Sequence, residues 1–100
     1  MRQIRLAQTD KPRPVLVLTR ERIRPHMRSV TIAPITTRIR GLLTEVPVGP
    51  QNGLDRPSVV SCDNIETVDR DALGPLVGYL LPDQEQALAR AITVAFDLET

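Results

Sequence analysis

Three short stretches of this chain carry polar groups that hydrophobic periodicity does not call for. Arg13 stands between Pro12 and Pro14, directly before the apolar run Val15-Leu16-Val17-Leu18. Prolines on both sides restrict the backbone, so this guanidinium leaves the chain from a defined place at a strand start. Thr36 and Thr37 end an apolar segment and open onto Arg38-Ile39-Arg40-Gly41. Two hydroxyls and two guanidiniums at one strand end suit a phosphate: hydroxyls donate neutral hydrogen bonds and arginines bidentate charged ones. Asp63-Asn64 follows a later apolar run and offers donors and acceptors for a base edge. Each stretch also has a plainer reading, namely a surface arginine, a β-branched strand end before a solvated loop, and an Asx-turn.

The remaining reactive side chains exclude several chemistries. A lone His26, beside Pro25 among arginines, reads as a solvated loop residue and cannot serve a two-histidine mechanism unless a second subunit supplies the other. Cys62 follows Val59-Val60 in an apolar run, as a buried thiol does. One Cys and one His cannot build a zinc site or an internal disulfide framework. There is no Gly-rich phosphate loop, metal-ligand cluster or nucleophile elbow. With Tyr79 and Phe96 as the only aromatic residues, base-stacking platforms are not available. No stretch approaches the roughly 20 apolar residues of a membrane span, and Met1-Arg2-Gln3-Ile4-Arg5 lacks the apolar core of a secretory signal. The cytoplasm is the expected compartment.

The formal net charge of +1 hides an asymmetry. Residues 1–40 hold ten basic side chains against Asp10 and Glu21, a balance of +8; residues 41–100 hold three against ten acidic ones, a balance of −7. Such a split marks either a polyanion-binding face or two signs that mix on the folded surface.

These groups must be positioned by short elements. A length of 100 residues suits one domain, and nine prolines and five glycines cut it into pieces that favour strands. Strands are expected at residues 4–8, 15–18, 30–36, 43–48, 58–62, 65–68 and 77–81, with Pro34 marking a bulge or an edge. Pro82, Asp83 and Glu85 then open a helix, on which Leu88, Ile92 and Phe96 recur at spacing four as a core stripe. The pattern predicts a mostly β fold with a C-terminal helix, a small, strongly curved antiparallel barrel.

Taken in order, Arg13-Pro14-Val15-Leu16-Val17, Ala33-Pro34-Ile35-Thr36-Thr37, Pro57-Ser58-Val59-Val60, Asp63-Asn64-Ile65-Glu66-Thr67-Val68 and Leu98-Glu99 resemble the MazF/PemK toxin family. The resemblance implies a Src-homology-3-like (plasmid-maintenance-toxin) barrel that forms a homodimer. It implies a toxin of a type II toxin–antitoxin module that cleaves single-stranded RNA, mRNA or rRNA, at specific sequences without a metal or other cofactor, and that is silenced by a MazE-like antitoxin. On the family pattern Arg13 and Thr36 form the catalytic pair, and Asn64 lies in an RNA-facing segment. Lys11, Thr37, Arg38 and Arg40 complete the expected RNA-binding set, with the loops at 20–28 and 37–42 choosing the bases. Many relatives carry a longer loop with a glutamate before the Arg-Pro pair; here that stretch is Gln8-Thr9-Asp10-Lys11-Pro12. The general base is therefore open among Asp10, His26 and a positioned water. Two other classes stay in view: a barrel toxin of the CcdB type that poisons gyrase, and a passive nucleic-acid-binding barrel.

The basic first forty residues lead to a kinetic expectation. An acidic antitoxin segment is steered toward them, so association measured by stopped flow slows sharply between about 50 mM and about 500 mM salt; equal rates at the two salts would remove the steering argument.

Overall fold

The computed structural model describes residues 1–8 and 11–99. Seven strands form, β1 (Gln3–Gln8), β2 (Pro12–Val17), β3 (Ser29–Thr36), β4 (Glu45–Val48), β5 (Ser58–Ser61), β6 (Glu66–Asp69) and β7 (Leu73–Tyr79), followed by the helix α1 (Pro82–Ala95). They run in the order β4-β5-β3-β2-β1-β7, with β6 attached to β3, and every pairing is antiparallel. The expected antiparallel barrel with a terminal helix is what forms, as a strongly bent half-barrel.

β3 is the strand on which the bend is made. One flank pairs with β2 through Val15–Pro34, Leu16–Ala33 and Val17–Ile32. The other flank changes partner, using Ser29–Ile32 for β6 and Ile35–Thr36 for β5. Pro34 falls at that change of partner, where a missing N–H costs no ladder bond. Alternation along β3 then feeds two cores. Ala33 and Ile35 join Ile4, Leu16, Val46, Val60, Leu80 and Leu88 in the larger cluster, while Val30 and Ile32 join Ala7 and Val15 in a smaller one.

Several expected boundaries move, among them the start of β2, which takes in Pro12-Arg13-Pro14. β4 begins at Glu45 rather than 43, because residues 43–44 are a turn. β5 ends at Ser61, and Cys62–Asn64 wind into a 3₁₀ turn. β7 starts at Leu73, four residues before the expected strand, and reaches β1 through register shifts around Arg5. Gly74 makes this possible: a side chain there would crowd the Leu6 carbonyl, and the Gly74 carbonyl is taken by Arg5 Nε at 2.9 Å.

The helix stripe also differs from expectation. Gln84, Leu88 and Ala91 are its buried residues, and α1 packs against β4 and the 62–64 turn. Phe96, expected in the core, is 56% exposed. The helix stops one residue earlier, and Asp97 takes a left-handed φ of 52°, which turns the chain out of helical register.

Gln84 replaces an apolar group on that stripe because it meets Asn52. The two amides form a closed pair, Asn52 Nδ2 to Gln84 Oε1 at 2.6 Å and Gln84 Nε2 to Asn52 Oδ1 at 3.1 Å. Asn52 also accepts from the Gly49 N–H and donates to the Tyr79 carbonyl. Gln84 accepts from the Leu81 N–H and donates to the Pro47 carbonyl. Both hydrogens and both lone pairs of each amide are thereby used.

Breaking this pair strands several buried polar groups at once. Asn52→Ala should lower stability by about 2–4 kcal/mol, whereas Phe96→Ala should cost less than about 1 kcal/mol. Urea melts of both variants check the contrast, and a mild Asn52→Ala would show the amide pair to be dispensable.

Candidate active site

The β2–β3 ladder sets the geometry of the two groups singled out at strand ends. The pairs run from Val17–Ile32 to Val15–Pro34; Arg13 lies two residues before Val15, and Thr36 lies two residues after Pro34, where β3 has turned to pair with Val59 of β5. The antiparallel run brings the start of β2 and the end of β3 to the same end of the strand pair. Arg13 is exposed and Thr36 half-buried. On its other flank Arg13 pairs with Ala7 of β1, so the guanidinium is carried by a strand held on both sides. Thr36 Oγ1 accepts from the Arg38 N–H at 3.1 Å. With its oxygen so engaged, the hydroxyl reaches a phosphate oxygen by donating its own proton.

Thr37, Arg38 and Arg40 follow on an exposed loop, and Lys11 is exposed two residues before Arg13. The structure thus gathers Lys11, Arg13, Thr36, Thr37 and Arg38 at one end of the β2–β3 pair. Asn64 lies elsewhere on the rim. It is exposed in the 62–64 turn beyond the far end of β5, where its Nδ2 donates to Ser61 Oγ at 2.8 Å. The Asp63 carboxylate does not fold back as an Asx-turn but accepts from Thr44 Oγ1 at 2.6 Å. Thr44 also gives its carbonyl to the Cys62 N–H, so this turn is fastened to the end of the 37–42 loop.

Glu45 was not singled out by residue type or spacing. One carboxylate oxygen accepts from the N–H groups of Arg40, Gly41 and Leu42 at 3.1, 2.9 and 3.2 Å. Gly41, with φ of 73°, lets the backbone curl so that the three N–H groups converge. The available signal was a glycine four residues before an acid at a strand start.

The 20–28 loop separates from this site. It leaves the opposite end of β2 and returns into the start of β3, so within one chain it flanks neither Arg13 nor Thr36. The basic first forty residues therefore do not form one continuous groove. Arg2 is spent on structure, bridging Glu85 at 2.7 Å and the Leu18 carbonyl. Arg20, Arg22 and Arg24 instead line a cleft of about 440 Å³ near Leu80 and Leu81. His26 is exposed on this distant loop, which removes it as base for the same chain's Arg13 and Thr36. Asp10, the other acidic candidate for the base, lies outside the described residues. A second cleft, about 380 Å³, flanks the pair through Pro14 and Thr37 and is closed by Leu54, Asp55 and Arg56.

A half-barrel with a terminal helix, with an exposed arginine at one strand start and a threonine at the neighbouring strand end beside a basic loop, has the groups that a small phosphodiester-handling protein needs. The chain belongs to the PemK-like, MazF-like toxins of type II toxin–antitoxin systems, whose family model matches residues 3–96. Endoribonuclease MazF3 of Mycobacterium tuberculosis strain H37Rv is 63% identical over 99 residues, covering 99% of this chain and 96% of the relative. The solved Mycobacterium tuberculosis toxin MazF-mt6 superposes with a TM-score of 0.95 at 61% identity, covering 98% of this chain and 99% of that one. An endoribonuclease in complex with its cognate antitoxin, from a mycobacterial species, matches with a TM-score of 0.87 at 27% identity over 98% of this chain and 94% of that one.

Among the described residues no group of three or more His, Cys, Asp or Glu is arranged to hold a metal ion. Cys62 is 1% exposed, and burial, with the Asp63 charge adding to it, pushes its thiol from 9.0 up to about 11. It is protonated at neutral pH and poorly nucleophilic. Two consequences follow from that raised value. Native protein should resist iodoacetamide at neutral pH and react once unfolded. Because the folded state holds this proton more tightly, the associated stability is present below pH 9.0 and is lost as pH rises through about 11. Melting temperatures of wild type and Cys62→Ala across that range check the sign, since the variant lacks this contribution to the decline.

Proposed function

We propose that Arg13 and Thr36 are the catalytic pair of this endoribonuclease toxin, and that residues 1–100 work as a single domain cutting single-stranded RNA at specific sequences. The observation that supports this assignment is the antiparallel β2–β3 pairing, which brings the strand ends bearing the two residues to one end of the pair. RNA supplies the nucleophile. Its 2′-oxygen attacks the adjacent phosphorus in line as its proton passes to a positioned water, a new P–O2′ bond forms, and the P–O5′ bond breaks with the 5′-oxygen leaving protonated. The products are a 2′,3′-cyclic phosphate and a 5′-hydroxyl. Arg13 stabilises charge developing on the non-bridging oxygens and supplies a proton toward the leaving oxygen through its N–H groups, without becoming the base. Thr36 donates to a phosphate oxygen, and the fixed strands hold the sugar-phosphate in line. No step uses a metal or cofactor, so cutting should persist in EDTA.

Lys11, Thr37, Arg38, Arg40 and Asn64 bind the RNA on this reading, reading bases through polar groups and stacked guanidiniums. Family membership favours RNA cleavage over the gyrase-poisoning and passive-binding readings. The partner that silences the toxin is a MazE-like antitoxin, a reading supported by the complex of a mycobacterial relative with its cognate antitoxin. The working form is a homodimer, supported by exposed Val94, Phe96 and Leu98 just after the helix stripe. Its compartment is the cytoplasm, where its mRNA or rRNA substrate lies. No helix among the described residues is long and apolar enough to cross a membrane.

The test is single-turnover cleavage in EDTA with melting curves on the same samples. Arg13→Ala should slow cleavage by about 10²–10³, and Arg13→Lys should recover only part of that, because the planar two-point contact is lost. Thr36→Val should slow cleavage, and Thr36→Ser less so. Wild-type cutting by folded Arg13→Ala would overturn the assignment, and loss of activity only through unfolding would make Arg13 structural.

A further inference from the structure

We propose that Glu45 is a positioning residue that sets which RNA sequence this toxin cuts, by fixing the 37–42 loop. The inference rests on the reading that this loop carries RNA contacts. The loop has two anchors. Its front is held where the Arg38 N–H meets Thr36 Oγ1, so one end is tied to the catalytic pair. Its back is held where the Arg40, Gly41 and Leu42 N–H groups converge on one Glu45 oxygen. Between these anchors stand Thr37, Arg38, Ile39 and Arg40, all exposed.

Glu45 is well placed for such work. It opens β4 opposite Ser61 of β5, so the carboxylate is borne by a paired strand rather than by the loop it holds. The neighbouring Thr44 fastens the Asp63–Asn64 turn from the same point, through its hydroxyl to Asp63 and its carbonyl to the Cys62 N–H. One dipeptide, Thr44-Glu45, therefore sets the spacing between the two RNA-facing elements that the fold otherwise keeps apart. An ionised carboxylate accepting successive backbone N–H groups fixes their direction more firmly than water does. Glu45 is half-buried and lies outside both apolar clusters, so its weight falls on the shape of the loop rather than on the core.

The experiment uses the full chain and a random-sequence single-stranded RNA pool in EDTA, with the new 5′-hydroxyl ends sequenced. Steady-state kinetics follow on a short RNA bearing the most-cut sequence. Glu45→Ala should raise KM about tenfold while leaving kcat within about threefold, the pattern of lost ground-state binding. The preference for the most-cut sequence over its single-base neighbours should fall by a similar factor, with the melting temperature little changed. Glu45→Gln keeps an acceptor oxygen in place and should keep most of the preference. Gly41→Ala strains the same curl at positive φ without touching another atom, and should reproduce the loss of preference.

Wild-type KM and sequence preference in Glu45→Ala would overturn the inference, as would a fall in kcat with preference intact. If Glu45→Ala does not fold, Gly41→Ala decides, and an unchanged preference there overturns it. Arg13→Ala in parallel separates the two readings. Full activity in that variant defeats the catalytic assignment, whereas an inactive Arg13→Ala beside an unaltered Glu45→Ala defeats only the role given to Glu45.

Discussion

Two buried amides hold the halves of this molecule to one another. Asn52 and Gln84 close a ring of hydrogen bonds, and their remaining valences reach the end of β4, the 49–53 loop, the end of β7 and the first turn of α1. The backbone is packed to suit. A side chain at Gly78 would run into the Asn52 carbonyl, and one at Gly53 into the Val77 carbonyl. A buried polar network is stabilising only when every member is satisfied, and this one is. It fixes where the helix lands and where the chain re-enters β5. That second placement matters for chemistry, because Leu54, Asp55 and Arg56 wall the cleft beside Pro14 and Thr37.

β3 supplies the other constraint. A strand that serves β2 on one flank and both β5 and β6 on the other has little freedom to slip, since a one-residue shift would exchange Val30 and Ile32 with Ala33 and Ile35 between the two cores. The strand ends that carry Arg13 and Thr36 continue from that same ladder. The apolar packing therefore also fixes where the proposed catalytic residues stand, through burial that the site does not itself contain.

Much of this was legible in the sequence, and the gaps have physical causes. Val15-Leu16-Val17 and Val30-Thr31-Ile32 announce strands because such apolar, β-branched runs bounded by proline have few alternatives, but the edge position that Pro34 allowed does not occur, since β3 is paired on both flanks. Arg13 and Thr36 stood out because nothing in the apolar pattern required them. β7 reaches back past its expected start because Gly74 and Pro75, residues that weaken regular strands, lie here in the irregular ladder against β1. Phe96 matched the helical spacing but lies past the last helical residue, which spacing alone does not reveal. Glu45, Asn52 and Gln84 were invisible for a shared reason. Each acts through partners far along the chain or through backbone N–H groups, and neither leaves a mark in composition. The charge asymmetry misled in a different way. Two strands antiparallel to each other carry their basic flanking segments to opposite ends, so a run of arginines close in sequence becomes two separate patches.

That separation bears on how so small a protein can cut RNA. The substrate brings its own nucleophile, and an arginine cannot be the base, so the protein's part is alignment and charge stabilisation. Alignment within a fraction of an ångström asks for groups carried on paired strands, as the proposed pair Arg13 and Thr36 are. Recognition asks for something different, a surface polar enough to read base edges and firm enough to read them consistently. The 37–42 loop proposed for that task is short, arginine-bearing and held at both ends by side-chain oxygens. A loop free at either end would keep its charge and so its general affinity for phosphates, while losing the geometry that distinguishes one base from another. On the proposed reading, affinity and selectivity on this rim depend on different atoms, the first on guanidiniums and the second on the oxygens that fix the backbone beneath them.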